Sequence, residues 1–202
     1  MREEFIEAVR SNLTAFDLTL ADEAVERLAD YYQIVQQHNP ILHLVAPCSV
    51  EEFAVRHILE SLTLLAFLPQ NARFADVGTG AGLPSLPCLI VRHDLSAVLI
   101  ESKAKKAAYL IAAVAQLDIA ERATIVNRQF EEVVTKDFSI VTCRALDKFS
   151  EKLPRVLKWA GRRRMLFFGG NALGEALKKA KVKFDRRLMP LSEQRYLFVI
   201  EC

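Results

Sequence analysis

The chain has few of the residues that mark several protein classes. It has 202 residues, of which four are cysteine, seven glycine and seven proline. So few glycines and prolines argue against a collagen-like or loop-dominated fold. No two cysteines form a C-x-x-C pair, so we expect neither a zinc site nor a disulfide framework. We interpret the cysteines as buried thiols of a reducing compartment. They are Cys48, Cys88, Cys143 and Cys202.

Long apolar runs are also missing. Hydrophobic residues make up 51% and charged residues 26% of the chain, as is usual in globular domains. No window approaches the roughly 18 uninterrupted apolar residues of a membrane-spanning helix. The opening MREEFIEAVR is acidic where a secretory signal is basic and then apolar. We therefore expect a cytoplasmic protein without a membrane span.

Positive charge is concentrated in one stretch. The net charge of the chain is +2, but residues 148–187 hold 13 Lys or Arg against 3 Asp or Glu, a net of +10. Residues 1–75 hold 5 against 11, a net of −6. Such a segment indicates either an anionic partner or a solvated helical face, and charge alone leaves both open.

The first 70 residues have helical periodicity. An apolar stripe follows Thr19, which we expect to begin a helix that Asn39-Pro40 ends, because the residue before proline disfavours the α conformation. Ser49-x-x-Glu52 is a capping box and predicts a helix as far as about Phe67. These segments predict a helical cap over residues 1–70.

The pattern changes at residue 73, where short β-type segments begin to alternate with helical ones. This alternation predicts an α/β fold with a mostly parallel, doubly wound, Rossmann-like sheet over residues 71–202. Such a sheet binds ligands at the carboxyl ends of its strands. The predicted strands are Arg73–Val77, Ala97–Glu101, Thr124–Asn127, Ser139–Cys143, Met165–Phe168 and Tyr196–Ile200, and the predicted helices are 84–92, 103–117, 145–160 and 171–180.

A glycine-rich loop is the sharpest local signal. Asp76-Val77-Gly78-Thr79-Gly80-Ala81-Gly82-Leu83-Pro84 runs from the first strand into a helix. Glycine permits positive φ and a close approach of the ligand to the backbone. The spacing is G-x-G-x-G and not the G-x-G-x-x-G of dinucleotide sites. Asp76 would repel a pyrophosphate but suit the cationic end of S-adenosylmethionine. A turn without any ligand is the alternative.

A second acidic residue follows at an informative distance. Glu101 ends the second predicted strand, 19 residues after Gly82. An acid about 20 residues beyond the glycines can accept hydrogen bonds from ribose hydroxyls. Together, the glycines and Glu101 favour a nucleoside-containing ligand.

With these residues the sequence resembles the bacterial 16S rRNA guanine-N7 methyltransferases, also called glucose-inhibited division protein B, as a divergent member. The resemblance covers nearly the whole chain. Residues 76–84 match the family's D-V-G-T-G-x-G-L-P at every fixed position. Arg56-His57-Ile58-Leu59-Glu60-Ser61 resembles its R-H-x-x-D-S, and Cys143-Arg144-Ala145 resembles its R-A. Further similar segments are Leu99–Ser102, Phe130–Glu132 and Arg195–Ile200.

The resemblance implies a class I methyltransferase sheet, S-adenosyl-L-methionine as cofactor and a guanine of small-subunit rRNA as substrate. The rRNA would be free or in the 30S particle, and we expect a monomer that needs no metal. Arg144 and His57 would be the catalytic residues on the reaction side. The cofactor-binding residues would be Asp76, Gly78, Gly80, Gly82, Leu83, Glu101, Phe130, Glu131 and Arg144.

Several positions depart from the family pattern. Residues 38–45 differ from its W-N-x-x-x-N-L-T, Phe168 replaces the lysine of its K-G, and Ser85 replaces the last glycine of G-L-P-G. We expect these changes to affect mainly the substrate side. They leave open a non-catalytic binding paralogue or a methyltransferase with another acceptor.

Methyl transfer to guanine N7 needs no general base, because N7 carries a free lone pair and no proton. Positioning and electrostatics therefore suffice. Arg144 could grip a phosphate or the guanine edge, or it could form an ion pair with Asp76 or Glu131. His57 could be functional or pair with Glu60. The basic segment would bind the RNA backbone, and we interpret Trp159 within it as core. Its predicted RNA-binding residues are Lys152, Arg155, Arg162, Arg163 and Arg164.

Overall fold

The computed structural model describes residues 1–134, 136, 138–144, 146 and 149–201. Two residues named above, Ala145 of the Arg-Ala pair and Cys202, lie outside the described residues. No helix in the described ranges combines the length and apolar character that crossing a membrane requires.

A seven-stranded sheet forms the centre of the protein. Its strand order is β3-β2-β1-β4-β5-β7-β6. The first five strands are parallel, and β7 runs antiparallel to both β5 and β6. The predicted Rossmann-like fold is therefore confirmed. The strands are β1 Arg73–Val77, β2 Ser96–Ile100, β3 Ala123–Val126, β4 Ile140–Arg144, β5 Arg164–Gly169, β6 Asp185–Leu188 and β7 Tyr196–Ile200.

The six predicted strands are present within one residue of their predicted bounds. The sequence analysis missed β6, whose four residues are all exposed. A strand at the outer edge of a sheet, exposed on both faces, has no alternation of apolar and polar residues to reveal it. Its sequence, Asp-Arg-Arg-Leu, therefore gave no β signal.

Helices cover both faces of the sheet. Between the strands lie α5 Ser85–Val91, α6 Ala104–Gln116, α7 Phe149–Ala160 and α8 Asn171–Lys179. Short 3-10 turns occupy Thr14–Phe16, Ala120–Arg122 and Phe130–Glu132. One buried cluster unites the N-terminal helices with one face of the sheet, and a second cluster packs α7 and α8 on the other face. The division into a cap and a methyltransferase domain stays a prediction.

The N-terminal helices begin and end at other residues than predicted. After α1 Arg2–Asn12, α2 spans Asp22–Leu42, so Thr19 does not begin it and Asn39-Pro40 does not end it. The helix continues two residues past Pro40 to Leu42, and its C-cap residue His43 has a left-handed φ of 47°. The predicted stop was wrong because a proline disfavours the helical conformation before it without forbidding it.

The capping box is confirmed, since the Ser49 hydroxyl accepts a hydrogen bond from the Glu52 amide at 3.0 Å. The helix it opens changes type three times: α3 Val50–Glu52, a π-helix Phe53–Leu59, α4 Glu60–Leu62 and a 3-10 segment Thr63–Phe67. The π-helical turn was not predicted. Such turns are frequent at functional sites, and this one carries Arg56 and His57.

Candidate functional site

A cleft of about 610 Å³ lies at the carboxyl ends of the parallel strands. Across the sheet, its walls come first from the ends of β2 and β1 and then from the ends of β4 and β5 and the start of β7. We call the part at β1 and β2 the glycine end. It is lined by Gly78, Thr79, Gly80, Ala81, Leu83, Glu101, Ser102, Lys103 and Lys106. We call the part at β4, β5 and β7 the arginine end. It is lined by Arg56, His57, Glu60, Arg144, Phe168, Arg195 and Tyr196.

The three glycines of the loop all have positive φ but serve different purposes. Gly80, at φ 56°, has room beside it, because an added Cβ would meet only the Gly78 carbonyl oxygen, at 3.9 Å. At Gly82 an added Cβ would lie 2.4 Å from Leu86 Cδ1, so this glycine permits close packing. Gly82 is also absent from the cleft wall, whereas Gly78 and Gly80 line it. Only the latter two are placed to contact a ligand.

Asp76 lies fully buried beneath the loop. Its Oδ2 accepts hydrogen bonds from the hydroxyls of Thr79 and Ser85, each at 2.7 Å. Burial raises its pKa to about 7, although these hydrogen bonds oppose the shift. Asp76 is not among the residues that line the cleft. Its contacts give it a role in shaping the loop, and its role in ligand binding stays a prediction.

Ser85 is a partner of this buried acid. The expectation that this departure affects the substrate side was wrong, because Ser85 is itself fully buried and donates its hydroxyl to Asp76. A glycine at this position could not supply that hydrogen bond. The serine therefore stabilises the loop from below.

Glu101 lines the cleft beside the loop, as the spacing predicted. Its two carboxylate oxygens accept hydrogen bonds from the amides of Gly80 at 3.1 Å and Lys103 at 2.8 Å. The side chain is only 6% exposed. These two amides fix the carboxylate at the edge of the cleft, where it can also accept from hydroxyl groups of a ligand.

The segment after α2 closes the glycine end. Leu44, Val45 and Ala46 line the cleft, and the Lys106 ammonium donates to the His43 carbonyl at 3.1 Å. We expected the departures at residues 38–45 to leave this part of the cleft alone. That expectation was wrong, because the segment packs against α6 beside Glu101.

Glu60 organises the arginine end. It is 1% exposed, and its Oε1 accepts from Arg195 Nε at 2.6 Å. Its Oε2 accepts from Arg144 Nη2 at 3.3 Å. A buried carboxylate requires such compensation. The ion-pair partner of Arg144 is therefore Glu60, and neither Asp76 nor Glu131.

Arg144 is more deeply buried than a rim residue. Its side chain is 12% exposed, it donates to the Arg56 carbonyl and to Ser61 Oγ, and its guanidinium lies 5.3 Å from the centre of the Phe168 ring. Its side chain therefore joins Phe168 of β5 to the helical segment before β1 that carries Arg56, Glu60 and Ser61.

The sequence analysis did not select Arg195 as a site residue. Its terminal nitrogens have no hydrogen-bond partner among the described residues, although its Nε is held by Glu60. The side chain is 33% exposed and lines the cleft. It precedes β7, which is antiparallel, so the amino end of this strand lies at the same sheet edge as the carboxyl ends of the others. Searching only strand carboxyl ends missed it.

His57 lines the same end of the cleft. Burial lowers its pKa to about 3, and the positive charges of Arg144, Arg56 and Arg195 add to the effect. The imidazole is therefore neutral at physiological pH. Its Nδ1 is buried and has no hydrogen-bond partner among the described residues. Both oxygens of Glu60 are taken by arginines, so the alternative of a His57–Glu60 pair is not observed.

Phe130 and Glu131 do not line the cleft. Phe130 is 5% exposed and packs edge-on against Trp159 at 5.6 Å. Trp159 is half-buried, donates its indole N–H to the Val133 carbonyl at 3.0 Å and packs against the second buried cluster, so it lies at the margin of the core. Glu131 forms an ion pair with Arg155. Contacts of Phe130 and Glu131 with a cofactor stay a prediction.

Some of the predicted RNA-binding residues are bound to other groups of the protein, and others are exposed. Arg163 donates to the carbonyls of Phe138 and Ala160 at 3.1 and 2.8 Å, and Arg164 is bound to Glu201 at 2.6 Å. These two stabilise the fold. Arg162 is exposed, and Lys152 is half-buried in the cleft wall.

Comparison with known proteins identifies relatives of this chain. The sequence model described as rRNA small subunit methyltransferase G (GidB) matches residues 24–188. The ribosomal RNA small subunit methyltransferase G of Sorangium cellulosum is 33% identical over 73% of this chain and 64% of its own length. That of Halorhodospira halophila is 32% identical over 72% of this chain and 69% of its own length.

Solved structures share the fold at low identity. A B. subtilis tRNA methyltransferase, TrmK, superposes with a TM-score of 0.56 at 15% identity, over 71% of this chain and 65% of its own. A human methyltransferase 10 domain containing protein superposes with a TM-score of 0.55 at 12% identity, over 87% and 96%. At these identities the likeness shows the fold alone.

Proposed function

The chain belongs to the rRNA small subunit methyltransferase G family, and from this premise we propose that it transfers a methyl group from S-adenosylmethionine to N7 of a guanine in small-subunit rRNA. The observation that supports the proposal is the cleft with two unlike ends. One end presents glycine backbone and the Glu101 carboxylate, and the other presents two arginines held on the Glu60 carboxylate, with Arg56 beside them in the cleft wall. The first suits a nucleoside and the second a polyanion.

S-adenosylmethionine fits the glycine end. Gly80 leaves open space where any other residue would carry a side chain, and Glu101 stands at the end of β2 with its carboxylate on the cleft wall. Gly78, Gly80, Leu83 and Glu101 would hold the nucleoside portion of the cofactor. When bound, the cofactor supplies an electrophilic methyl group on a sulfonium.

The arginine end would hold the acceptor. The Arg195 guanidinium has terminal N–H groups without a partner among the described residues, and these could bind a phosphate or the O6 atom of guanine while leaving the N7 lone pair free to react. Arg144 shares the Glu60 carboxylate with Arg195, and its guanidinium packs against the Phe168 ring. Phe168 stands where the family has lysine; it is 6% exposed and packs against the Arg144 guanidinium, so an apolar side chain that supports this arginine replaces a charge.

The reaction asks for no proton transfer at the nucleophile. Guanine N7 would take the methyl group with its lone pair as the sulfur–methyl bond breaks, so the cofactor would leave as a neutral thioether and positive charge would develop on the purine. His57 is neutral, so it adds no further positive charge beside the developing purine cation.

The finer points of the assignment are parts of the same proposal. The substrate is naked small-subunit rRNA or the 30S particle, the enzyme acts in the cytoplasm, and it works as a monomer. Residues 1–70 form a helical cap that contributes Arg56, His57 and Glu60 to the methyltransferase domain of residues 71–202.

Two assays on the purified protein test the proposal. S-adenosylmethionine and its demethylated product should raise the melting temperature, because a ligand that binds only the native state stabilises it. Labelled methyl should then appear in small-subunit rRNA as 7-methylguanosine. Thermal stabilisation without transfer to rRNA or 30S particles would favour a non-catalytic binding protein. No stabilisation at millimolar cofactor would contradict the assignment altogether.

A further inference from the structure

The mouth of the cleft continues onto the outer edge of the sheet. Tyr196 lines the cleft and begins β7. Its neighbour on the outer side is β6, where the register pairs Leu188 with Tyr196 and Arg186 with Phe198. The Arg186 guanidinium lies 5.0 Å from the centre of the Tyr196 ring. An exposed arginine is therefore stacked on an aromatic residue of the cleft wall.

Several cations at this edge form no ion pair with the residues that the structure describes. Lys179, Lys181 and Lys183 are exposed, and no ion pair joins them to any described residue. Arg186 has no carboxylate partner there either; its contact is the Tyr196 ring. By contrast, Arg155, Arg163 and Arg164 are engaged with Glu131, with backbone carbonyls and with Glu201. Among the described residues of the basic segment, unpaired positive charge therefore lies at the β6 edge as well as at the exposed Lys158 and Arg162.

From this arrangement we propose that Arg186 and Tyr196 form a stacking platform for a nucleotide that flanks the target guanine, and that the RNA strand leaves the cleft along the β6 edge. The inference rests on the proposed function for its substrate. A planar guanidinium on an aromatic ring offers its outer plane to a base and its N–H groups to a phosphate. Both are recognition elements for single-stranded RNA.

The alternation of side chains along β6 supplies an internal comparison. Arg187 is the next residue, and its guanidinium lies 4.8 Å from the Phe67 ring, which belongs to the N-terminal helices. Successive side chains of a strand point to opposite faces. Arg186 therefore contacts the cleft wall and Arg187 does not, although both are exposed arginines on one strand.

The test measures binding of small-subunit rRNA at several salt concentrations, together with cofactor affinity. Arg186→Gln should weaken rRNA binding about fivefold to tenfold and reduce the salt dependence. Tyr196→Leu should weaken binding by a similar factor without changing the salt dependence, since it removes a stacking surface and no charge. Cofactor affinity should stay at the wild-type value in both variants.

Arg73→Gln is the matched control, because Arg73 is exposed at the start of β1 and the cleft lies at the other end of the parallel strands. It should bind rRNA as the wild type does. Equal losses from Arg186→Gln and Arg187→Gln would mean diffuse attraction and would overturn the platform. Unchanged binding in Tyr196→Leu would overturn it as well. If the wild-type protein binds rRNA through Arg186 but makes no 7-methylguanosine, the proposed function fails and the platform stands.

Discussion

The two ends of the cleft are encoded in different ways. The glycine end comes mainly from one continuous loop, residues 78–83, and from Glu101 directly after the next strand, with only residues 44–46 coming from farther away in the chain. The arginine end is built around Glu60, whose partners are 84 and 135 residues away along the chain. A ligand that needs backbone contacts can be served by a local motif. The charged residues that would bind an anionic acceptor are far apart in the chain, so only the tertiary fold brings them together.

A side chain at Gly80 should disrupt the glycine end directly. Gly80→Val places a β-branched residue at φ 56° with its side chain in the open space beside the loop. We expect cofactor affinity to fall on the order of a hundredfold or more, through backbone strain and loss of space. Isothermal titration with S-adenosylmethionine measures this.

Gly161→Val is the control for strain alone. Gly161 has a similar φ of 61° and room for a Cβ, but it lies in the turn after α7 and not in the cleft wall. It should lower the melting temperature and keep the cofactor affinity. Equal cofactor affinity in the two variants would show that the loop does not form the binding site.

The arginine end should depend on Glu60 more than on either arginine. Glu60→Gln leaves two guanidinium groups without their shared carboxylate. We expect single-turnover methyl transfer to fall by about a thousandfold and stability by about 3 kcal/mol. Cofactor affinity should change little. Glu60→Asp keeps the charge and should restore much of the turnover, whereas an equal defect in Asp and Gln would show that only the packing of this side chain matters.

Arg144→Lys tests whether the fork of the guanidinium is required. Lysine keeps the charge but cannot bind Glu60, Ser61 and the Arg56 carbonyl together. We expect about a tenfold to a hundredfold loss in transfer. The melting temperature should also fall, because the side chain is 12% exposed and joins two parts of the fold. Wild-type turnover in a stable lysine variant would leave Arg195 as the acceptor-binding arginine and Arg144 as a source of charge alone.

A pH-dependent effect on stability is expected beneath the glycine loop. Asp76 has a pKa of about 7 in the folded protein against 3.8 in the unfolded chain. Between these values the unfolded state releases a proton that the folded state keeps, so this group destabilises the fold progressively as pH rises from about 4 to 7. Asp76→Asn removes the effect. Its unfolding free energy relative to wild type should increase over that range, and parallel urea-denaturation profiles from pH 4.5 to 7.5 would refute the assignment.

How far the sequence predicts the molecule follows the same division. The strands, the glycine loop and Glu101 could be predicted because each depends on residues close together in the chain. Arg195 could not, because its position depends on β7 running antiparallel, which no local pattern specifies. The burial of Arg144 and the engagement of Arg163 and Arg164 depend on partners from other elements, such as Glu60 and Glu201. The position of residues 38–45 beside the glycine end could not be predicted for the same reason, because a contact such as that of His43 with Lys106 joins distant parts of the chain.

The most direct measurement of the central claim is mass spectrometry of small-subunit rRNA nucleosides from a strain that lacks this gene. We expect that a 7-methylguanosine disappears from the rRNA of this strain, returns when the wild-type chain is expressed and does not return with Gly80→Val. Unchanged 7-methylguanosine at every small-subunit position in the deletion strain would contradict it.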